Sequence, residues 1–85
     1  MTIKRYKMHV TDVLDYFIGD IADIVDYELK DNKFVVKYCI DGETVQQRTI
    51  TNKEIEKEFK CSDVVWKYDK DNSLDRVTYA RESED

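Results

Sequence analysis

The stretch Thr11-Asp12-Val13-Leu14-Asp15-Tyr16-Phe17-Ile18-Gly19-Asp20-Ile21-Ala22-Asp23-Ile24-Val25-Asp26 carries the strongest periodic signal in the chain. Stepped at about 100° per residue, Val13, Leu14, Phe17, Ile18, Ile21, Ala22, Ile24 and Val25 share one half of a helical wheel. Asp12, Asp15, Asp20, Asp23 and Asp26 share the other half, with Tyr16 and Gly19 among them. Thr11 suits an N-cap, and Asp12 and Asp15 stand in the first turn, where the helix dipole favours negative charge. The pattern predicts one long amphipathic helix over residues 12–26. Gly19 costs such a helix about 1 kcal/mol relative to alanine. On the polar side it leaves room for a bend or a close approach.

Outward from this helix the period changes to two. Tyr6, Met8 and Val10 alternate with Arg5, Lys7 and His9, which predicts a strand over residues 2–10. Past Asp26 the helical period fails, because Glu28 would fall on the apolar side. Asp31-Asn32 and Asp41-Gly42 each suit a two-residue hairpin turn. The first sets Leu29 opposite Phe34 and Tyr27 opposite Val36; the second sets Tyr38 opposite Val45 and Val36 opposite Gln47. Both registers gather Phe34, Val36, Tyr38 and Ile40 on one face, joined by Tyr27, Leu29 and Val45. A three-stranded meander over residues 26–51 follows. Thr51-Asn52-Lys53-Glu54 fits a capping box, with Ile55 and Phe59 as the narrow apolar stripe of a short helix ending near Lys60 or Cys61. Val64 to Tyr68 reads as a strand, Asp69 to Ser73 as a loop and Leu74 to Ala80 as a last strand. The expected fold is α+β, in the order β-α-β-β-β-α-β-β. It is an antiparallel sheet with one long amphipathic helix on one face and one short helix.

The chain has 85 residues, which is one domain over residues 1–85, with Arg81-Glu82-Ser83-Glu84-Asp85 expected as a solvated acidic tail. No apolar run approaches the ~20 residues of a membrane span. No apolar segment follows the basic N-terminus as a secretory signal would require. Two cysteines, Cys39 and Cys61, are too few for a disulfide framework. These features point to a cytoplasmic protein. A net charge of −5 argues against direct affinity for DNA, RNA or anionic membranes. No proline and two glycines leave little room for a glycine-rich phosphate loop.

Catalytic constellations do not assemble from these residues. His9 is the single histidine, and neither Cys39 nor Cys61 sits in a nucleophile motif, so a non-enzyme is expected. One histidine and two cysteines without C-x-x-C spacing do not make a zinc site. Asp69-Lys70-Asp71-Asn72-Ser73-Leu74-Asp75 offers oxygens at alternate positions. However, Leu74 replaces the glycine a calcium loop needs, and Ala80 stands where a bidentate Glu belongs. No cofactor is expected. Lys4, Arg5 and Lys7 beside an inward Tyr6 read as a solvated strand face that pairs with the acidic helix.

Charge segregation is the more informative feature. Residues 10–31 hold seven acidic side chains against Lys30 alone. The plain reading of an aspartate face is the wet side of an amphipathic helix. A helix shaped by stability alone would intersperse lysines for i,i+4 pairs and avoid acids such as Asp23 and Asp26 near its C-terminal end. A single-sign field suits a basic partner instead. The candidate partner-binding surface is Asp12, Asp15, Tyr16, Asp20, Asp23 and Asp26. On one helix these acids would run about 20 Å, a spacing that imitates one phosphate strand.

In size, acidity and lack of catalytic residues the chain resembles phage-encoded anti-defence proteins, such as anti-CRISPRs, and bacterial toxin-immunity proteins. The likeness is one of character, without a motif that carries over functional residues. It implies occlusion of a nucleic-acid groove on a nuclease or restriction enzyme. The expected function is therefore a small acidic protein that binds and inhibits a basic, nucleic-acid-handling protein. The alternative is a homodimeric structural or regulatory module whose acids serve solubility, with Val35, Cys39 and Trp66 forming a second apolar surface.

Overall fold

The computed structural model describes residues 2–42 and 44–83. In chain order the elements are β1 (Thr2–His9), α1 (Val10–Phe17), β2 (Ala22–Lys30), β3 (Lys33–Ile40), β4 (Gln46–Thr51), α2 (Asn52–Phe59), β5 (Ser62–Tyr68) and β6 (Leu74–Ser83). The fold is α+β, but the single sheet expected from the sequence is two. One three-stranded antiparallel sheet runs β1-β6-β5 and the other β2-β3-β4. No helix among the described residues is long and apolar enough to cross a membrane.

The long helix does not form. α1 is eight residues long, starts one residue before Thr11 and stops at Phe17, with His9 as an N-cap that makes no side-chain capping bond. Its end is sealed when the Ile18 and Gly19 N–H groups both donate to the Leu14 carbonyl, at 2.9 and 3.2 Å. Gly19 then takes φ +105°, a conformation open to glycine and strained for any residue with a Cβ. Two periods compete for residues 18–26; 18–21 form a turn and the strand period wins from Ala22. Ile21, Ile24 and Val25 are β-branched and favour extended backbone. A bulge between Ile24 and Asp26 brings Ala22 and Ile24 onto the same face as Tyr27 and Leu29. That face also holds Phe34 and Val36, both fully buried.

The first hairpin has the register expected of Asp31-Asn32, with Leu29 opposite Phe34 and Tyr27 opposite Val36. The second is shifted by one residue: Tyr38 faces Gln46 and Val36 faces Arg48. Asp41 and Gly42 do adopt positive φ, but pairing resumes only at Gln46. The reason lies in the core. The expected register would turn Val45, Gln47 and Thr49 inward and Ile50 out to water. The observed one exposes Val45 and buries Ile50 completely beside Phe34.

Both sheets turn their apolar faces toward a common core of Val10, Val13, Leu14, Phe34, Val36, Ile50, Ile55, Trp66 and Val77. Phe34 from one sheet meets Trp66 from the other at 4.9 Å between ring centroids. The Trp66 indole N–H donates to Asn52 Oδ1 at 2.9 Å, anchoring the ring to the start of α2. Trp66 is therefore a core residue and no part of a second apolar surface; Val35 and Cys39 alone remain half-buried on the outer side of β3. α2 follows its capping box: Thr51 Oγ1 accepts the Glu54 N–H at 3.2 Å, and Lys60 closes the helix in the left-handed region. Arg48, on the inner face of β4, ties three elements together. It donates to the Phe17 carbonyl and to Glu54 Oε2 (3.0 Å), and lies 5.5 Å from the Phe17 ring centroid. A cation at the carbonyl end of α1 also complements the helix dipole. β6 is longer than expected and takes in Arg81 to Ser83, which the sequence reading assigned to a solvated tail; residues 84 and 85 lie outside the described residues.

Gly19→Ala tests the helix stop by the sign of its effect. In one continuous helix the substitution would stabilise by about 1 kcal/mol. At φ +105° in open space it destabilises by about 1 kcal/mol or more, measured by urea denaturation.

Candidate functional site

The acidic residues are distributed over three kinds of local structure. Asp12 and Asp15 lie on the exposed side of α1, opposite the buried Val10, Val13 and Leu14. Asp20 lies in the connection to β2. Asp23 and Asp26 project from the outer face of β2, opposite Cys39 and Lys37 on β3. The evenly stepped row on a single helix therefore does not exist, and with it goes the spacing that imitated a phosphate strand. The charge does remain. All five carboxylates are exposed, and none forms an ion pair with Lys or Arg among the described residues. The recorded pairs lie elsewhere, as Arg5–Asp63, Arg48–Glu54 and Arg76–Asp75.

Tyr16 is the aromatic member of this surface, half of it in solvent at 51 % exposure. Its ring packs on Phe59 at 4.8 Å and on Phe17 at 5.1 Å. Its hydroxyl donates to Glu58 Oε1 at 2.6 Å. The accepting carboxylate holds the phenol proton, with lesser contributions from desolvation and from the Glu58 charge, so Tyr16 ionises above the ordinary tyrosine range. Glu58 is thus an acidic neighbour that the sequence did not single out. Its signal lay in the pairing of Phe59 with the Tyr16-Phe17 end of α1, which only tertiary structure supplies. A ring fixed at its edge beside Asp12, Asp15 and Glu58 offers a flat apolar surface with an acidic rim. Such a surface suits a guanidinium or ammonium group.

The basic N-terminal strand does not answer the acidic helix. Arg5 crosses the outer face of the β1-β6-β5 sheet, donating to Asp63 Oδ2 at 2.7 Å and to Thr78 Oγ1 at 2.9 Å. Tyr6 does not turn fully inward. It is 39 % exposed and stacks on Tyr79, with centroids 6.0 Å apart, and Tyr79 in turn stacks on Phe59. Burial raises the Tyr79 pKa.

His9, Cys39 and Cys61 are spread over different elements. His9 ends β1 opposite Arg76, whereas Cys61 precedes Ser62, which faces Ala80. Those β6 partners stand four residues apart, about 13 Å along a strand. Cys39 belongs to the other sheet. Burial, with the Glu56 charge second, raises the Cys61 thiol pKa, the opposite of what activates a nucleophile. In the 69–75 segment, Asp69 Oδ1 accepts the N–H groups of Asp71 (2.9 Å) and Ser73 (3.0 Å), so this carboxylate shapes a hairpin turn.

No protein-family model, curated protein or solved structure matches the chain. The acidic surface is therefore read on its own geometry.

The Tyr16–Glu58 bond is open to direct titration. Followed by NMR of the Tyr16 ring, its ionisation falls above 10.0 in the wild type and returns toward that value in Glu58→Gln. An unchanged midpoint in Glu58→Gln would separate the two residues.

Proposed function

We propose that this chain is a small, acidic, non-catalytic cytoplasmic protein that binds and inhibits a basic, nucleic-acid-handling protein. One observation carries this reading. Asp12, Asp15, Asp20, Asp23 and Asp26 are all exposed, and none is neutralised by an ion pair among the described residues. Unpaired like charges contribute little to folding and repel one another, but they accelerate encounter with a positively charged groove and select for it. Tyr16, oriented by Glu58 and Phe59, gives that field a rigid anchor of the kind that concentrates binding energy in interfaces. The fitting target is a nuclease or restriction enzyme whose nucleic-acid groove the surface would occlude. That is the mode of the anti-CRISPR and toxin-immunity proteins the chain resembles in character. Mimicry of nucleic acid here works through charge and not through a helical repeat.

A second reading, the homodimeric structural or regulatory module, keeps one observation in its favour. Ile21, in the turn just before β2, and Val25, within it, are 74 % and 56 % exposed, and Val45 is 51 % exposed. A concentration-independent dimer in sedimentation, with no other protein retained, would favour this module.

The acidic surface is tested by changing Asp15, Asp20, Asp23 and Asp26 together to Asn and repeating affinity capture from nuclease-treated bacterial lysate. The wild type retains a basic nucleic-acid enzyme at low salt and releases it at high salt. The variant, folded by circular dichroism, loses it. Equal retention by both proteins would remove the acidic mechanism.

A further inference from the structure

The two sheets leave β1, β5, β2 and β4 as edge strands among the described residues. An exposed edge invites pairing unless charge or a bulge prevents it. β1 carries Lys4, Arg5 and Lys7 and no acid, so two copies of it would oppose like charges. β5 is interrupted by register shifts toward both ends. β4 has Arg48 as its charge and no acid to meet it. β2 differs from all three. Past the bulge between Ile24 and Asp26 it runs uninterrupted to Lys30, with Asp26, Glu28 and Lys30 exposed on its outer face.

The backbone of this run fixes how a second copy can pair with it. Asp31 and Asn32 take positive φ, 53° and 62°, and close a two-residue turn between Lys30 and Lys33. Counted from that turn, Lys30, Glu28 and Asp26 bond to β3 through their backbone, and Leu29 and Tyr27 turn theirs to the free edge. The Tyr27 N–H is covered by Asp26 Oδ1 at 2.9 Å. An antiparallel copy bonds to this edge only where outward-facing residues oppose one another. A two-fold axis at Tyr27 would set Asp26 against Glu28, acid against acid. An axis at Leu29 would set Tyr27 against Asp31, which lies in the left-handed turn and cannot extend the ladder.

An axis at Glu28 satisfies both faces. Tyr27 pairs with Leu29 of the second copy on either side of the axis, each pair exchanging its backbone hydrogen bonds. The outer face sets Asp26 against Lys30 of the second copy, opposite charges directly across. The inner face sets half-buried Tyr27 beside half-buried Leu29. These side chains adjoin a cleft of about 380 Å³ whose far wall includes Tyr68 and Leu74. The one conflict is Glu28 against Glu28 at the axis. The exposed area also suits a second copy. The chain exposes 6076 Å², where a folded monomer of 10.2 kDa exposes about 5,300 Å². The surplus is close to the ~800 Å² that each partner gives to a standard interface.

We propose that two copies of this chain join through β2, antiparallel about Glu28, merging their β2-β3-β4 sheets into one. The pairing gives Asp26 a counter-charge and leaves Asp12, Asp15 and Tyr16 on α1, outside the joined strands, so the dimer presents that part of the acidic surface twice. It differs from the homodimeric module considered above, because it dissociates on dilution and does not exclude a basic partner.

Sedimentation equilibrium of the full chain from about 1 μM to about 1 mM covers the range of weak association. The mean mass is expected to rise from 10.2 kDa toward twice that value. Over the same range the Leu29 N–H, fast to exchange in the dilute monomer, is expected to slow. Lys30→Asp sets acid against acid on either side of the axis and is expected to weaken the dimer about tenfold or more. Adding Asp26→Lys restores opposite charges about Glu28 and is expected to bring the dimer back to within about threefold of wild type. Glu28→Gln removes the conflict at the axis and is expected to tighten the dimer about threefold. A chain that stays monomeric throughout would overturn the inference. So would slowed exchange confined to another edge strand, or a dimer that Lys30→Asp leaves unchanged. Failure of the charge swap to rescue, in a variant folded by circular dichroism, would overturn it as well. None of these outcomes bears on the acidic surface, which the four-Asp capture experiment judges separately.

Discussion

The contact between Phe34 and Trp66 is the point at which the two sheets become one molecule. A lone three-stranded sheet has one apolar face and is marginal in water unless that face is covered. Here each sheet covers the other, and α1 and α2 close the sides with Val10, Val13, Leu14 and Ile55. The Trp66 indole N–H would be costly to bury unpaired, and Asn52 at the start of α2 accepts it. Arg48 then fixes α1 and α2 to β4 through the Phe17 carbonyl and Glu54. The shifted β3–β4 register is what places Arg48 and Ile50 on this inner face.

That same requirement explains why the chain leaves the helix at Phe17. Ile40 and Tyr38 face Ala22 and Ile24 across the sheet, a pairing that exists only when β2 begins at Ala22. A helix running to Asp26 would have withdrawn Ala22 and Ile24 from that sheet. The acids were carried along by this choice. They lie on a short helix, a turn and an edge strand, so no single helical face holds them. Their exposure is unchanged, but their geometry is different.

Much of the architecture was legible where local signals were redundant. The Asp31-Asn32 register was marked both by turn residues and by matching alternation on each side. The α2 start was marked by Thr51 and Glu54 together. Residues 18–26 were not legible because Ile21, Ala22, Ile24 and Val25 satisfy a helical wheel and, with one bulge, a strand. Nothing local reports the bulge. The Asp41-Gly42 register failed because the turn residues behaved as expected while the burial of Ile50 moved the pairing by one. For the candidate site, the identities of the acids and of Tyr16 could be read directly. Glu58, whose hydrogen bond orients Tyr16, could not, since 42 residues separate them in sequence.

Residue-by-residue amide hydrogen exchange through Val10–Lys30 examines this switch most directly. A helix that stops at Phe17 gives protection at Leu14 to Gly19, then a break, then alternation along β2, with Asp26, Glu28 and Lys30 slow and Leu29 fast. Continuous slow exchange from Asp15 through Asp26, as in a single helix, would contradict it.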